Sequence, residues 1–140
     1  MAAIARIEAR IVTVDSSNAG TDGDVYLGIC GREFYLDTSI DNFERGQIDQ
    51  IILGEGSNLS NGRDNNPRRP QLFTENLFRF PVYIRFAPER RTDNWFVESV
   101  NVTVNPGPGQ AEYTVLGGDD KLWLGARSGL FIHLFPVVIE

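Results

Sequence analysis

The 140-residue chain carries 13 Lys and Arg against 19 Asp and Glu, a formal net charge of −6, with one His and one Cys. That balance argues against general nucleic-acid binding, which draws its affinity from phosphate neutralisation by Lys and Arg, and a single Cys and His exclude an internal disulfide and leave too few ligands for a zinc or iron–sulfur centre. The length suits one domain, residues 1–140, of a size that buries about 68–70% of its unfolded surface and so builds a real core.

Alternation with period 2 dominates the chain, and no helix-length window shows a 3.6-residue repeat, so the expected fold class is all-β. The opening segment AAIARIEARIV lacks a basic stretch followed by a long apolar one, and no run reaches the length of a membrane-spanning helix. The expectation is a chain without an export signal, cytoplasmic by default, whose membrane contact, if any, is peripheral.

A first strand is expected over 4–14. The segment NAGTDGDVYLGICG at 18–31 joins an acidic, glycine-rich turn to a strand with Val25, Leu27 and Ile29 on one face, and Phe34 and Leu36 continue after the turn at Gly31. Cys30 reads as a small buried hydrophobe. A strand over 47–53 follows, then GEGSNLSNGRDNNPRRP, the start of a long loop at about 54–77. In FRFPVYIRF the alternation places Phe78, Phe80, Val82, Ile84 and Phe86 on one face, and in WFVESVNVTV it groups Phe96 with Val100, Val102 and Val104. NPGPGQ at 105–110 is a turn, and strands are expected at 110–116, 120–124 and 130–138. The apolar tail, with Phe131, Phe135, Val137 and Val138, is expected to be the sandwich's last strand; left unpaired it would seek a partner's edge. Eight or so short strands point to a β-sandwich.

His133 lies in the alternating strand LFIHLF among large apolar neighbours, and no nucleophile–base–acid constellation accompanies it, so no catalysis is expected. Oxygen donors gather instead in three places: Asp15 to Asp24, Asp37 to Asn42, and Asp93-Asn94. Calcium takes about six to eight oxygens from carboxylates, amides, carbonyls and water, which these loops offer, although Asp and Asn also simply form turns. Twelve of the thirteen basic residues are arginine, and Arg63, Arg68, Arg69, Arg90 and Arg91 form two clusters that either face phosphate headgroups or make a solvated rim. Trp95 and Phe96 point to opposite faces of their strand, which leaves Trp95 either a core plug or an exposed wedge.

Four segments in order, GTDGDVYLGICG, LDTSIDNFERGQIDQIIL, TDNWFVESVNV and DDKLWL, resemble a PLAT domain, the lipoxygenase-homology β-sandwich. The matching motifs are Ala19 to Asp22 with Val25-Tyr26, Asp41 to Gly46 with Asp49, Asp93 to Phe96, and Trp123-Leu124, over roughly residues 4 to 125. The resemblance implies an antiparallel β-sandwich of two four-stranded sheets, without catalytic residues, that brings proteins to membranes, lipids or partner proteins. It also implies one or two calcium ions: one held by Asn18, the Gly20 carbonyl, Asp93 and the Asn94 carbonyl, the other by the Thr21 carbonyl, Asp22, Asp41 and Asn42. Position 18 is Asn where calcium-binding relatives often carry Asp, which weakens the first site because affinity follows ligand charge. The expected function is a calcium-responsive module for lipid headgroups or a membrane surface, with Trp95, Arg68, Arg69, Arg90 and Arg91 as membrane or partner contacts. The alternative is a protein–protein interaction module or assembly subunit without lipid binding, acting as a homo-oligomer or beside an enzyme.

Overall fold

The computed structural model describes residues 2–137. Strands β1 (Arg6–Thr13), β2 (Asp24–Ile29), β3 (Arg32–Tyr35), β4 (Ile48–Gly54), β5 (Tyr83–Ala87), β6 (Trp95–Val104), β7 (Ala111–Leu116), β8 (Leu122–Leu124), β9 (Phe131–His133) and β10 (Phe135–Pro136) form two antiparallel sheets. One is four-stranded, β3-β2-β5-β9; the other has six strands in the order β10-β7-β6-β1-β4, with β8 also paired to β6. The expected four-stranded second sheet is visible inside the six. β7 pairs with Ser99–Val104 and β8 with Trp95–Val97 on the same edge of β6, so together they make one strand interrupted at 117–121. The tail then adds β10 outside β7.

Alternation builds the core as it should. Ile7, Ala9 and Ile11 of β1, Ile51 and Leu53 of β4, and Val100, Val102 and Val104 of β6 face Val25, Leu27, Ile29, Phe34, Ile84 and Phe86 of the opposite sheet. Two expectations of phase fail. Glu98 is an extra residue in β6, since Ser99 pairs with Val12 while Val97 pairs with Thr13. This bulge resets the alternation, so Trp95 and Val97 share the buried face with Val100, and Phe96 points away from it. The second failure is FRFPV: Thr74–Phe78 coils into a 3-10 helix and buries Leu77, while Phe78 is 82% and Phe80 45% exposed. The strand begins only after Pro81, which lacks the N–H a ladder needs.

The long loop is an ordered strap over two sheet edges. The Asn58 amide accepts from the backbone N–H of Ile52 and donates to the Gln50 carbonyl, beside β4, and Asn65 Oδ1 accepts from the Tyr35 N–H at the edge of β3. Exposed ladder groups are thereby paired within the chain. The tail crosses between sheets: β9 pairs with β5, Leu134 is buried at the crossing, and β10 pairs with β7. It is thus strand material of the sandwich, in two short pieces with Phe131 and Phe135 exposed; Val138 lies outside the described residues.

Candidate functional site

Register brings three loops together. Asp24 pairs with Ala87, Val12 with Ile48 and Thr13 with Val97, so the β1–β2, β3–β4 and β5–β6 loops leave the same end of the sandwich. Hydrogen bonds tie the loops to one another. The Thr21 hydroxyl reaches both oxygens of Asp93 (2.7 and 2.8 Å) and the Thr21 N–H donates to the Phe43 carbonyl (2.9 Å), while within the third loop the Glu89 N–H donates to Asp93 Oδ2 (2.9 Å). Gly20 is required for that approach, because a Cβ there would sit 2.8 Å from the Arg45 nitrogen. Beneath the second loop, Asp49 is 1% exposed and accepts from the Phe43 N–H and from Asn42 Nδ2, each at 2.9 Å. It fixes the turn that carries Asp41.

Two clefts result. The first, about 370 Å³, is lined by Thr21, Asp22, Asp24, Asp37, Asp41 and Asn42 among others, with four aspartates and no basic side chain. Its field is felt by Tyr35, whose phenol donates to Asp24 (2.9 Å) and is pushed up to about 12 by burial, that hydrogen bond and the charges of Asp24 and Asp37. The second, about 380 Å³, holds Asn18, Gly20, Asp22, Glu44 and Asp93, with Arg45 and Arg90 on its wall. Burial, then Asp22 beside it, and then Asp41 and Asp49 hold the Glu44 carboxyl above the ordinary carboxylate range. Arg45 is paired with Asp15 (3.0 Å) and Arg90 with Glu89 (3.5 Å).

Thr21, Asp22, Asp41 and Asn42 therefore lie in one cleft, and Asn18, Gly20 and Asp93 in its neighbour. The two differ in fitness for a cation. Both Asp93 oxygens already accept hydrogen bonds; Asn94, expected to ligate through its carbonyl, lays its side chain over Gly125. In the first cleft Asp22 meets the Glu44 carboxyl, Asp41 is exposed, and the Asn42 amide is spent on Thr38 and Asp49. Asn42 could then contribute only its carbonyl. Among the described residues no three His, Cys, Asp or Glu side chains meet as ligands for one ion, so a cation here would also draw on carbonyls and water.

The predicted contact residues fare differently. Trp95 is the core plug: it is fully buried against Phe43 (5.2 Å) and Phe86 (5.7 Å), and its Nε1 donates to Thr13 Oγ1 (3.0 Å). It cannot touch a surface partner, because the Glu98 bulge has turned it inward. Arg90 lines the second cleft and Arg91 a separate pocket that shares Thr92 with it, but Arg68 and Arg69 lie at the far end, where Arg32 beside the β2–β3 turn donates to the carbonyls of Asn66 (2.8 Å) and Arg69 (3.2 Å). The strap runs away from the acidic end and takes that arginine pair with it. Sequence reasoning missed Glu44, although it stands three residues after Asp41, and it missed Trp123 and Arg127 as exposed groups at the acidic end.

No protein-family model matches the chain, and no curated protein matches its sequence. Solved structures do match in fold. The alpha-toxin of Clostridium absonum aligns at TM-score 0.60 and 22% identity over 94% of this chain and 31% of its own. The alpha-toxin of an avian strain of Clostridium perfringens aligns at 0.63 and 20% over 96% of this chain and 32% of its own. A coral 8R-lipoxygenase, described as calcium-activated via a C2-like domain, aligns at 0.60 and 17% over 94% of this chain and 17% of its own. The chain thus spans a third or less of those proteins, and its fold is that of the C2-like, or PLAT, β-sandwich implied by its motifs.

Proposed function

We propose that the chain is a non-catalytic module that docks to lipid headgroups or a membrane surface in response to calcium. The observation that carries this reading is the cleft lined by Asp22, Asp24, Asp37 and Asp41 without a basic side chain, at the end of the sandwich where three loops converge. Four like charges in one cleft repel, and a divalent cation offsets that repulsion while keeping coordination sites open for phosphate oxygens. Asp22 and Asp41, with the carbonyls of Thr21 and Asn42, would hold the ion; the Asn18 and Asp93 position is the poorer one, with Asp93 already engaged. The calcium activation described for the coral lipoxygenase's C2-like domain is consistent with this assignment. Catalysis has no support: His133 keeps company with the rings of Tyr83 and Phe131.

Thermal unfolding against calcium tests the reading. An ion that binds only the folded state stabilises it by RT ln(1 + [L]/Kd), about 2.7 kcal/mol at a hundredfold excess over Kd. The Asp22→Ala/Asp41→Ala double variant should fold and lose the shift. Co-sedimentation with anionic vesicles should strengthen with calcium and fall back when chelator is added. An unchanged unfolding midpoint at millimolar calcium would refute the calcium part.

One observation favours a protein-docking reading instead: Phe78, Phe80, Phe131 and Phe135 are exposed. Concentration-dependent self-association, lost in Phe131→Ser and indifferent to calcium, would support it.

A further inference from the structure

Beside the acidic clefts, on the other side of loop 88–94, lies a pocket of opposite character. Arg91, Thr92, Asn94, Trp123, Arg127 and Ser128 line about 470 Å³, and Thr92 faces both this pocket and the neighbouring acidic cleft. Neither Arg91 nor Arg127 has a carboxylate within ion-pairing distance among the described residues, although the chain carries an excess of acids. The two guanidiniums come from loops 36 residues apart in the chain, by subtraction of their numbers, and specific packing joins those loops. Gly125 allows it: a Cβ there would collide with the Asn94 amide oxygen, so the Asn94 side chain lies directly on the 125–129 turn. That turn is closed on itself, with the Gly125 N–H donating to the Gly129 carbonyl (2.9 Å) and the Ser128 N–H to the Gly125 carbonyl (3.2 Å). Trp123 completes the wall. It is 38% exposed and stacked on Phe96 with ring centroids 4.3 Å apart and planes 5° apart, so its indole is held in place while still open to solvent.

We propose that this pocket binds a phosphate ester bearing an apolar group, the chemistry of an anionic phospholipid headgroup, with Arg91 and Arg127 on the phosphate and Trp123 against the apolar portion. Guanidinium forks match phosphate oxygens bidentately, and a half-exposed indole is the side chain that tolerates an apolar and a wet neighbour at once. Thr92, Asn94 and Ser128 supply further polar groups around the phosphate. The assignment rests on the lipid-docking reading for the nature of the surface, but it places the headgroup contact away from the cation cleft and independent of it. Calcium and phosphate would then be read by two adjacent walls of one loop.

The chain's two tryptophans make the test direct, since Trp95 is fully buried and only Trp123 is open to a quencher. Acrylamide quenching is measured in chelator with dihexanoylphosphatidylglycerol below its micellar concentration, and in parallel with inorganic phosphate. The lipid should lower the Trp123 quenching constant at least twofold, and inorganic phosphate should do so much less. Arg91→Gln/Arg127→Gln should fold with an unchanged unfolding midpoint and lose the protection. Asp22→Ala/Asp41→Ala should keep it. Equal protection by inorganic phosphate and lipid, no protection by either, or protection that survives Arg91→Gln/Arg127→Gln would each overturn the proposal. A calcium-independent unfolding midpoint would refute the cation reading and leave this one standing, so the two failures are distinguishable.

Discussion

Replacing Asp49 by alanine is expected to be the most damaging single change at the acidic end. The residue is 1% exposed and accepts two hydrogen bonds of 2.9 Å, from the Phe43 N–H and from Asn42 Nδ2. Hydrogen bonds to a charged group contribute about 1.5–3 kcal/mol each, and a buried donor left without a partner costs about 1–3 kcal/mol. The Phe43 N–H loses the acceptor of a buried bond, whereas the Asn42 amide retains Thr38 and can turn toward water in the adjacent cleft. Relief of the buried carboxylate's own desolvation returns part of the loss. The net expectation is a destabilisation of about 2–4 kcal/mol, which for a domain of this size lowers Tm by roughly 6–12 °C at about 3 °C per kcal/mol. Asp49→Asn should recover little, because one of its two amide positions then presents donors to a donor. Urea unfolding of the three proteins gives the energies directly, and Asp41→Ala, at an exposed position of the same turn, should stay within about 0.5 kcal/mol of the parent. A loss below about 1 kcal/mol for Asp49→Ala would refute the view that this carboxylate holds the turn.

Three further outcomes are expected. Trp95→Phe should lower stability by about 2–3 kcal/mol in urea unfolding, through lost volume and an unpaired Thr13 hydroxyl, without changing vesicle binding of the folded protein. Cys30 is buried, which pushes its thiol up to about 11 from an ordinary 9.0; the folded state therefore keeps this proton longer, stability from it is full below about 9 and lost as pH rises toward 11, and a thiol reagent at pH 8 should label it only at the rate of opening. The raised Glu44 carboxyl means that the fold prefers it protonated, so its stabilising contribution is present at acid pH and lost as pH rises through its elevated pKa. Glu44→Gln should accordingly raise Tm at neutral pH and converge with the parent at acid pH in melts across that range.

The legible parts of this chain are those where a local rule meets no competitor. The β1, β2 and β4 alternations could be read because each strand buries one face, and the three oxygen-rich loops because their composition is unusual wherever they fold. FRFPV could not be phased: the same spacing serves a strand or a 3-10 turn, and Leu77 filled the core position that would otherwise have fallen to Phe78. Nor could Arg68 and Arg69 be placed, since their location depends on the direction in which Asn58 and Asn65 lead the strap along the sheet edges. Glu44, by contrast, lay within reach of sequence reasoning, three residues from Asp41 in a turn that already had an assigned role.

The bulge at Glu98 is the one irregularity whose consequences reach both the core and the surface. One extra residue sends Trp95 inward, where it meets Phe43 and Phe86 and so braces the loop bearing Asp41, and it sends Phe96 outward. Phe96 then offers its ring to Trp123, which fixes the wall of the arginine pocket. Without the extra residue, the pair would exchange faces: Phe96 would fill a tryptophan-sized space, and Trp123 would lose the ring it stacks on. The strand segment before the bulge also sets the exit of loop 88–94, whose residues divide between the acidic cleft, through Arg90 and Asp93, and the arginine pocket, through Arg91 and Asn94. Cation cleft and anion pocket are therefore coupled through one backbone register, and a change that shifts it must disturb both together.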